Sequence, residues 1–301
     1  MYLPEKHHRA LIGAALAFIA AVAFSGKAIL VKLAYVYPVD AVTLLTLRMV
    51  FSVPFFLAIS LWKVRGSQAD LSKRDWLTVI TLGLIGYYVG SLLDFWGLYY
   101  IPASLERLIL FLYPTLVLLL SAWLLRRPIR GYEVAALAVC YAGIAIVLLK
   151  GISLNAVHLS LGAALVFGSA LTYAIYLIGS DSIIARIGSV RFTAYSMTVT
   201  SIAIVLHFLF IHDLASLDQP SAVYGLAIAM ALLSTVLPAF FVSEALHRIG
   251  ANKTSIIGSV GPVSTLILGA VFLNETITMM QLVGTALVIA GVLWISLRRP
   301  V

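Results

Sequence analysis

Charge is what this chain has least of: 12 acidic and 20 basic side chains among 301 residues, 11% in all. A soluble domain carries about 25% charged residues, so the shortfall leaves more apolar surface than one water-covered core can hide. A single cysteine, Cys140, has no intramolecular disulfide partner, which removes a disulfide scaffold from consideration. The chain contains no G-x-x-x-x-G-K-[ST] phosphate loop, no H-E-x-x-H pair, no G-x-S-x-G elbow and no paired Cys/His spacing. Neither ATP-driven transport nor a metal or serine hydrolase therefore has sequence support. No metal site, cofactor or enzymatic activity is expected.

What is present is apolar length. Hydrophobic residues make up 62% of the chain and mean hydropathy is +1.07. About 20 apolar residues cross the hydrocarbon core as a helix, and ten candidate spans follow: about 11–33, 40–62, 76–97, 103–124, 131–149, 159–179, 191–212, 222–246, 250–273 and 279–297. Barrel strands would alternate over about 10 residues, which runs such as Leu116-Val117-Leu118-Leu119-Leu120 do not. The fold class expected is all-α and integral to the membrane, with the lipid bilayer as a partner.

The positions of the basic residues matter more than the net charge of +8. Lys6, Arg9, Lys63, Arg65, Lys73, Arg74, Arg126, Arg127, Arg130, Arg186, Arg191, Arg248, Lys253, Arg298 and Arg299 fall on alternate connections, and the opposite connections carry only Lys150. Because Lys and Arg stay on the cytoplasmic side, both termini are expected there, in a multi-pass protein of the cell (inner) membrane. The basic excess reads as topology and not as nucleic-acid binding. The apolar run after Lys6 and Arg9 is too long for a signal-peptide core and reads as the first permanent span.

The chain also repeats itself. Residues 95–147 match 243–295 at a constant offset of 148: Pro114 falls on Pro262, Ala122 on Ala270, Ala142-Gly143 on Ala290-Gly291. The opening spans match more weakly at an offset of 149, with Gly13-Ala14-Ala15-Leu16 on Gly162-Ala163-Ala164-Leu165. Loop charges do not follow the match: Arg126, Arg127 and Arg130 fall on Asn274, Glu275 and Thr278. The expected organisation is residues 1–149 and 150–301 as two five-helix repeats, the second inverted, around a central cavity, as in secondary transporters.

Gly97-Leu98-Tyr99-Tyr100-Ile101-Pro102-Ala103-Ser104 running into Tyr113-Pro114, and Leu273-Asn274-Glu275-Thr276-Ile277-Thr278 followed by Gln281-Leu282-Val283-Gly284 and Ala290-Gly291-Val292, carry a resemblance. On these segments the chain resembles the ten-span EamA-type members of the drug/metabolite transporter superfamily. The resemblance implies an export-directed secondary carrier of amino acids or related small metabolites, with spans 1–4 and 6–9 around the cavity and spans 5 and 10 peripheral. Glu275, whose counterpart is Arg127, reads as topological and capping.

Charges inside spans are costly and mark function by default. Lys27, Arg48, Asp94, Glu106 and Arg107 all fall in the expected outer half of the membrane, while the equivalent positions of the second repeat are Tyr176, Met197, Val242, Thr254 and Ser255. Two readings stay open: the five charges pair with one another, or they bind substrate and gate. Around them, Tyr87, Ser91 and Asp94 share one helix face, as do Ser169, Tyr173 and Tyr176. Lys27 and Arg48 from two helices would hold a carboxylate while an acidic group meets an ammonium. Pro54, Pro114, Pro238 and Pro262 lie inside spans, and the equivalent pair Pro114 and Pro262 are the expected hinges. The function expected is alternating-access transport of a small-molecule substrate, amino acids first. The alternatives are a multidrug exporter of lipophilic cations, with a coupling proton on Asp94 and Glu106, and an integral-membrane enzyme. A monomer or homodimer is expected.

Overall fold

The computed structural model describes residues 3–64, 71–101, 103–148, 158–273 and 279–297, and every regular element among them is helical. Inside lipid no water satisfies backbone groups, so an apolar chain must bond within each element. The α-helices are α1 (Leu3–Ala34), α2 (Ala41–Val64), α3 (Lys73–Leu82), α4 (Gly90–Tyr100), α5 (Ala103–Leu110), α6 (Tyr113–Leu125), α7 (Gly131–Leu148), α8 (Leu159–Ile187), α9 (Ser189–Ile211), α10 (Ser221–Ala231), α11 (Leu237–Ile257), α12 (Gly261–Leu273) and α13 (Met279–Leu297). π-helical turns at Gly83–Val89 and Leu232–Val236 join α3 to α4 and α10 to α11 without a break. Six stretches are long and apolar enough to cross a membrane: His8–Ala34, Ala41–Leu61, Lys73–Tyr100, Leu159–Ile187, Ser189–Ile211 and Ser221–Thr265. Glu275 lies outside the described residues.

Ser72 caps α3 through a reciprocal box with Asp75, which fixes where that helix begins. Gly250, at φ 76° and ψ 170°, interrupts α11 in a conformation that a side chain would strain. Among the four span prolines, Pro54 lies in the interior of α2. Pro114 and Pro238 occupy the first turn of α6 and α11, and Pro262 is the second residue of α12. Pro54, Pro238 and Pro262 lie inside the apolar stretches Ala41–Leu61 and Ser221–Thr265, and Pro114, just after the turn at Phe111–Leu112, sits where a proline gives up no intrahelical hydrogen bond.

Small residues set the packing. A Cβ at Gly13 on α1 would lie 2.8 Å from the side chains of Arg248 and Ile249 on α11, and one at Gly162 on α8 would run into Tyr100 and Ile101 beside α4. Along the second pair, Gly90 meets Thr172, Gly86 meets Tyr176, and Leu82 meets Gly179. Numbers rise on one strand of contacts as they fall on the other, so α8 runs antiparallel to the α3–α4 rod. The pair α7 and α13 does the same: Gly143 lies against Gly284 and Val288, Gly291 against Ala136 and Cys140. Such close approaches between apolar helices rely on dispersion and not on a hydrophobic drive.

Candidate functional site

The described helices enclose a cavity of about 110 Å³. About 10–15 Å³ of such space holds one water, so this is room for a small solute. Its wall combines residues one repeat apart in sequence: Phe24 with Tyr173, Gly86 with Ser234, Tyr87 with Thr235, Asp94 with Val242, Leu110 with Gly258, and Tyr113 with Gly261. Both π-turns reach it. A π-turn leaves carbonyls poorly served, and hydroxyls fill the gap: Ser169 Oγ donates to Gly90 O at 2.8 Å, Thr200 Oγ1 to Gly83 O at 2.8 Å, and Thr235 Oγ1 to Met230 O at 3.0 Å. Single π-turns within α-helices concentrate at functional sites.

One side of the cavity is ionic. Lys27 on α1 is ion-paired with Asp94 on α4 and lies 4.0 Å from Glu106 on α5. Arg107 Nε sits 3.2 Å from Glu106 Oε2, while its Nη2 donates to Phe24 O at 2.9 Å and Ser25 O at 3.3 Å on α1. Ser25 Oγ donates onward to Gly261 O at 2.9 Å, where α12 begins. Lys27 stands between the Asp94 and Glu106 carboxyls. Asp94, Glu106 and Arg107 are all buried.

Arg48 on α2 stands apart. It is 3% exposed, Nη2 donates to Ser91 Oγ at 3.2 Å, its guanidinium lies 5.1 Å from the centre of the Phe95 ring, and Nε has no hydrogen-bond partner. No carboxylate forms an ion pair with it among the described residues. A cation–π contact contributes about 0.5–2 kcal/mol and one hydrogen bond to a charged group about 1.5–3 kcal/mol, against a desolvation cost of several kcal/mol per buried ion. The guanidinium is under-compensated.

Among the residues singled out from sequence, Lys27, Arg48, Tyr87, Ser91, Asp94, Arg107 and Tyr173 line the cavity. Glu106 lies behind the wall, bridging Lys27 and Arg107. Tyr176 is fully buried and packs behind Tyr87, with ring centroids 4.8 Å apart. Each acid has a cation beside it, Lys27 for Asp94 and Arg107 for Glu106, while Asp94 Oδ1 and both Glu106 carboxylate oxygens have no hydrogen-bond partner. Val242 and Thr254 share the wall of this cavity with Asp94 and Arg107. Pro114 and Pro262 each follow a short non-α link, a turn at Phe111–Leu112 and a 3-10 turn at Gly258–Val260.

Sequence reasoning overlooked Lys32, half-buried and within electrostatic range of Glu106; five residues beyond Lys27, it lies off that residue's helix face. It also overlooked Phe24, Phe111 and Tyr113 in the wall, and the π-turns. The signal for the first π-turn was available in Gly83, Gly86 and Gly90, which put a bare face at i, i+3, i+7 against α8 and α9. His207 accepts or donates a 2.9 Å bond with Tyr88 Oη between helices, as a packing role requires.

The sequence model of the EamA-like transporter family matches residues 11–149 and 160–297. An uncharacterized transporter, YcbK of Bacillus subtilis (strain 168), is 29% identical over 93% of this chain and 91% of its own length. A protein of Streptantibioticus cattleyicolor described as a probable terminal-alkyne amino-acid exporter is 26% identical over 75% of this chain and 74% of its own. One solved crystal structure superposes with a TM-score of 0.75 at 19% identity, covering 94% of this chain and 95% of that one.

Proposed function

The chain belongs to the EamA-like transporter family, and on that premise we propose that it is a secondary carrier, export-directed, moving a small carboxylate-bearing metabolite, amino acids first, across the cell membrane by alternating access. The observation that carries this reading is the cavity walled by equivalent elements of both halves, ionic on the first half's side and uncharged on the other's. Binding sites at the repeat interface near the bilayer midplane are what alternating access requires. The amino-acid exporter among the relatives supports the same substrate class.

The carrier has ten spans in two inverted repeats, with both termini cytoplasmic. The stretch Ser221–Thr265 has 45 residues, about 68 Å if straight, more than twice the hydrocarbon thickness of about 30 Å; its break at Gly250 divides it into two crossings. The pieces α5 with α6, then α7, and α13 bring the count to ten. Reciprocal contacts support a two-fold relation: Gly13 with Arg248 and Ile249 becomes Gly162 with Tyr100 and Ile101 on exchanging the halves. The antiparallel course of α7 against α13, fifth helix against tenth, supports the inversion.

Counterflow of labelled neutral amino acids in proteoliposomes, with and without a pH gradient, tests the function. Saturable counterflow is expected. Transport of quaternary ammonium dyes with amino acids ignored would replace this reading by the multidrug one. A pH-gradient dependence of flux would show proton coupling, for which the buried Asp94 and Glu106 are the candidate carboxyls.

A further inference from the structure

Resting on the carrier reading, we propose that Arg48 is the docking group for the substrate's carboxylate and that an amino group is dispensable, so that the class recognised is a small organic monocarboxylate, of which a neutral amino acid is one member. Lys27 and Arg107 are each committed to a carboxylate of the protein. Arg48 lines the same cavity with no such partner among the described residues, one bond to Ser91 and an unpartnered Nε. A guanidinium presents its donors as a planar fork that matches a carboxylate through two parallel hydrogen bonds. Phe95, 5.1 Å from the guanidinium carbon, and Ser91 at Nη2 hold the group in place before a ligand arrives, and a carboxylate would take the donors that these contacts leave. An ammonium finds no equivalent. Asp94, the one acid among the cavity-lining residues, has its charge met by Lys27 and leaves only Oδ1 without a hydrogen bond, and the remaining polar wall is hydroxyl, with Ser91, Ser169, Tyr173, Ser234 and Thr235 among it. The site therefore discriminates on the negative charge alone.

Four probes that share one isobutyl side chain separate the charges: leucine, 4-methylpentanoate, leucinamide and isopentylamine. Competing with labelled leucine in counterflow, 4-methylpentanoate is expected within about threefold of leucine, and leucinamide and isopentylamine at least tenfold weaker. Binding of the same probes to the purified full chain in detergent, followed by the ligand-induced rise in unfolding temperature, should give the same order. Arg48→Gln should erase the preference of leucine over leucinamide. Arg48→Lys, which keeps the charge and loses the fork, should retain part of it, and it serves where the glutamine variant does not fold. Leucinamide or isopentylamine matching leucine overturns the assignment, as does 4-methylpentanoate failing to compete, or a folded Arg48→Gln that keeps the preference. If the probes rank as stated in detergent but leucine shows no counterflow, the carrier reading fails and the docking assignment stands. If leucine counterflow proceeds and its amide competes equally, the reverse holds.

Discussion

At five pairs of equivalent positions the two halves of the molecule solve the same packing problem with opposite chemistry. In the first half Lys27, Asp94, Glu106 and Arg107 bond from helix to helix, tying α1, α4 and α5 into one body. In the second, Thr254 Oγ1 donates to Gly250 O at 2.8 Å and Ser255 Oγ to Asn252 O at 2.8 Å, both within their own helix, while Met197 and Val242 are simply buried. A hydroxyl satisfied by its own helix asks nothing of its neighbours. A buried charge satisfied by another helix holds that helix in place, so at these positions the ionic set is a lock and the Thr254 and Ser255 hydroxyls hold no neighbour. The second half's ties to the first run elsewhere, through Ser169, Thr200 and Ser234.

The largest effect should come from breaking the lock on one side only. Removing one partner of a buried pair leaves an uncompensated charge and costs about 3–5 kcal/mol, whereas replacing both by apolar groups is often neutral. Asp94→Asn or Glu106→Gln should therefore lower the thermal unfolding midpoint sharply and abolish counterflow. Lys27→Met combined with Asp94→Leu should recover most of the stability and none of the gating. Equal losses in the single and double variants would dissolve the distinction between the halves.

Much of that distinction was legible in the chain itself. The five in-span charges and the neutral residues at their equivalents follow from counting along the repeat, and the structure brings the charges together. Pairing was not legible, because sequence gives depth along a helix but not rotation about it: the same depths would let Arg48 take Asp94, and only the placement of α2 against Ser91 and Phe95 leaves it unpaired. The division of the expected 103–124 span into α5 and α6 was hidden for a related reason. Hydropathy cannot see a two-residue turn such as Phe111–Leu112 inside a continuous apolar run.

Helix packing should be alike in the two halves even though the charge is not. Gly13 and Gly162 occupy equivalent contacts, and forcing side chains into a filled contact costs about 1–3 kcal/mol. Gly13→Val and Gly162→Val are expected to depress the unfolding midpoint by similar amounts, with a larger loss of transport than of stability if α1 and α8 move against their neighbours. A large drop for one and none for the other would mean that the equivalence of the halves stops at sequence.

The smallest effect should belong to Thr254 and Ser255. Thr254→Val and Ser255→Ala each remove a hydroxyl whose bond lies within its own helix, and a single neutral hydrogen bond contributes about 0.5–1.5 kcal/mol. Loss of such a bond also frees a backbone carbonyl that the helix already serves, so the lower end of that range applies. Thr254 lines the cavity, yet valine is nearly its isostere, so the wall keeps its shape and counterflow should stay within about threefold of the parent. The pair of substitutions together should be no worse than additive, since neither hydroxyl bonds the other. The outcome that would undo the contrast is a loss as large as that of Glu106→Gln. Thr254 would then have to hold another helix in some state of the cycle, and the second half would carry a lock of its own.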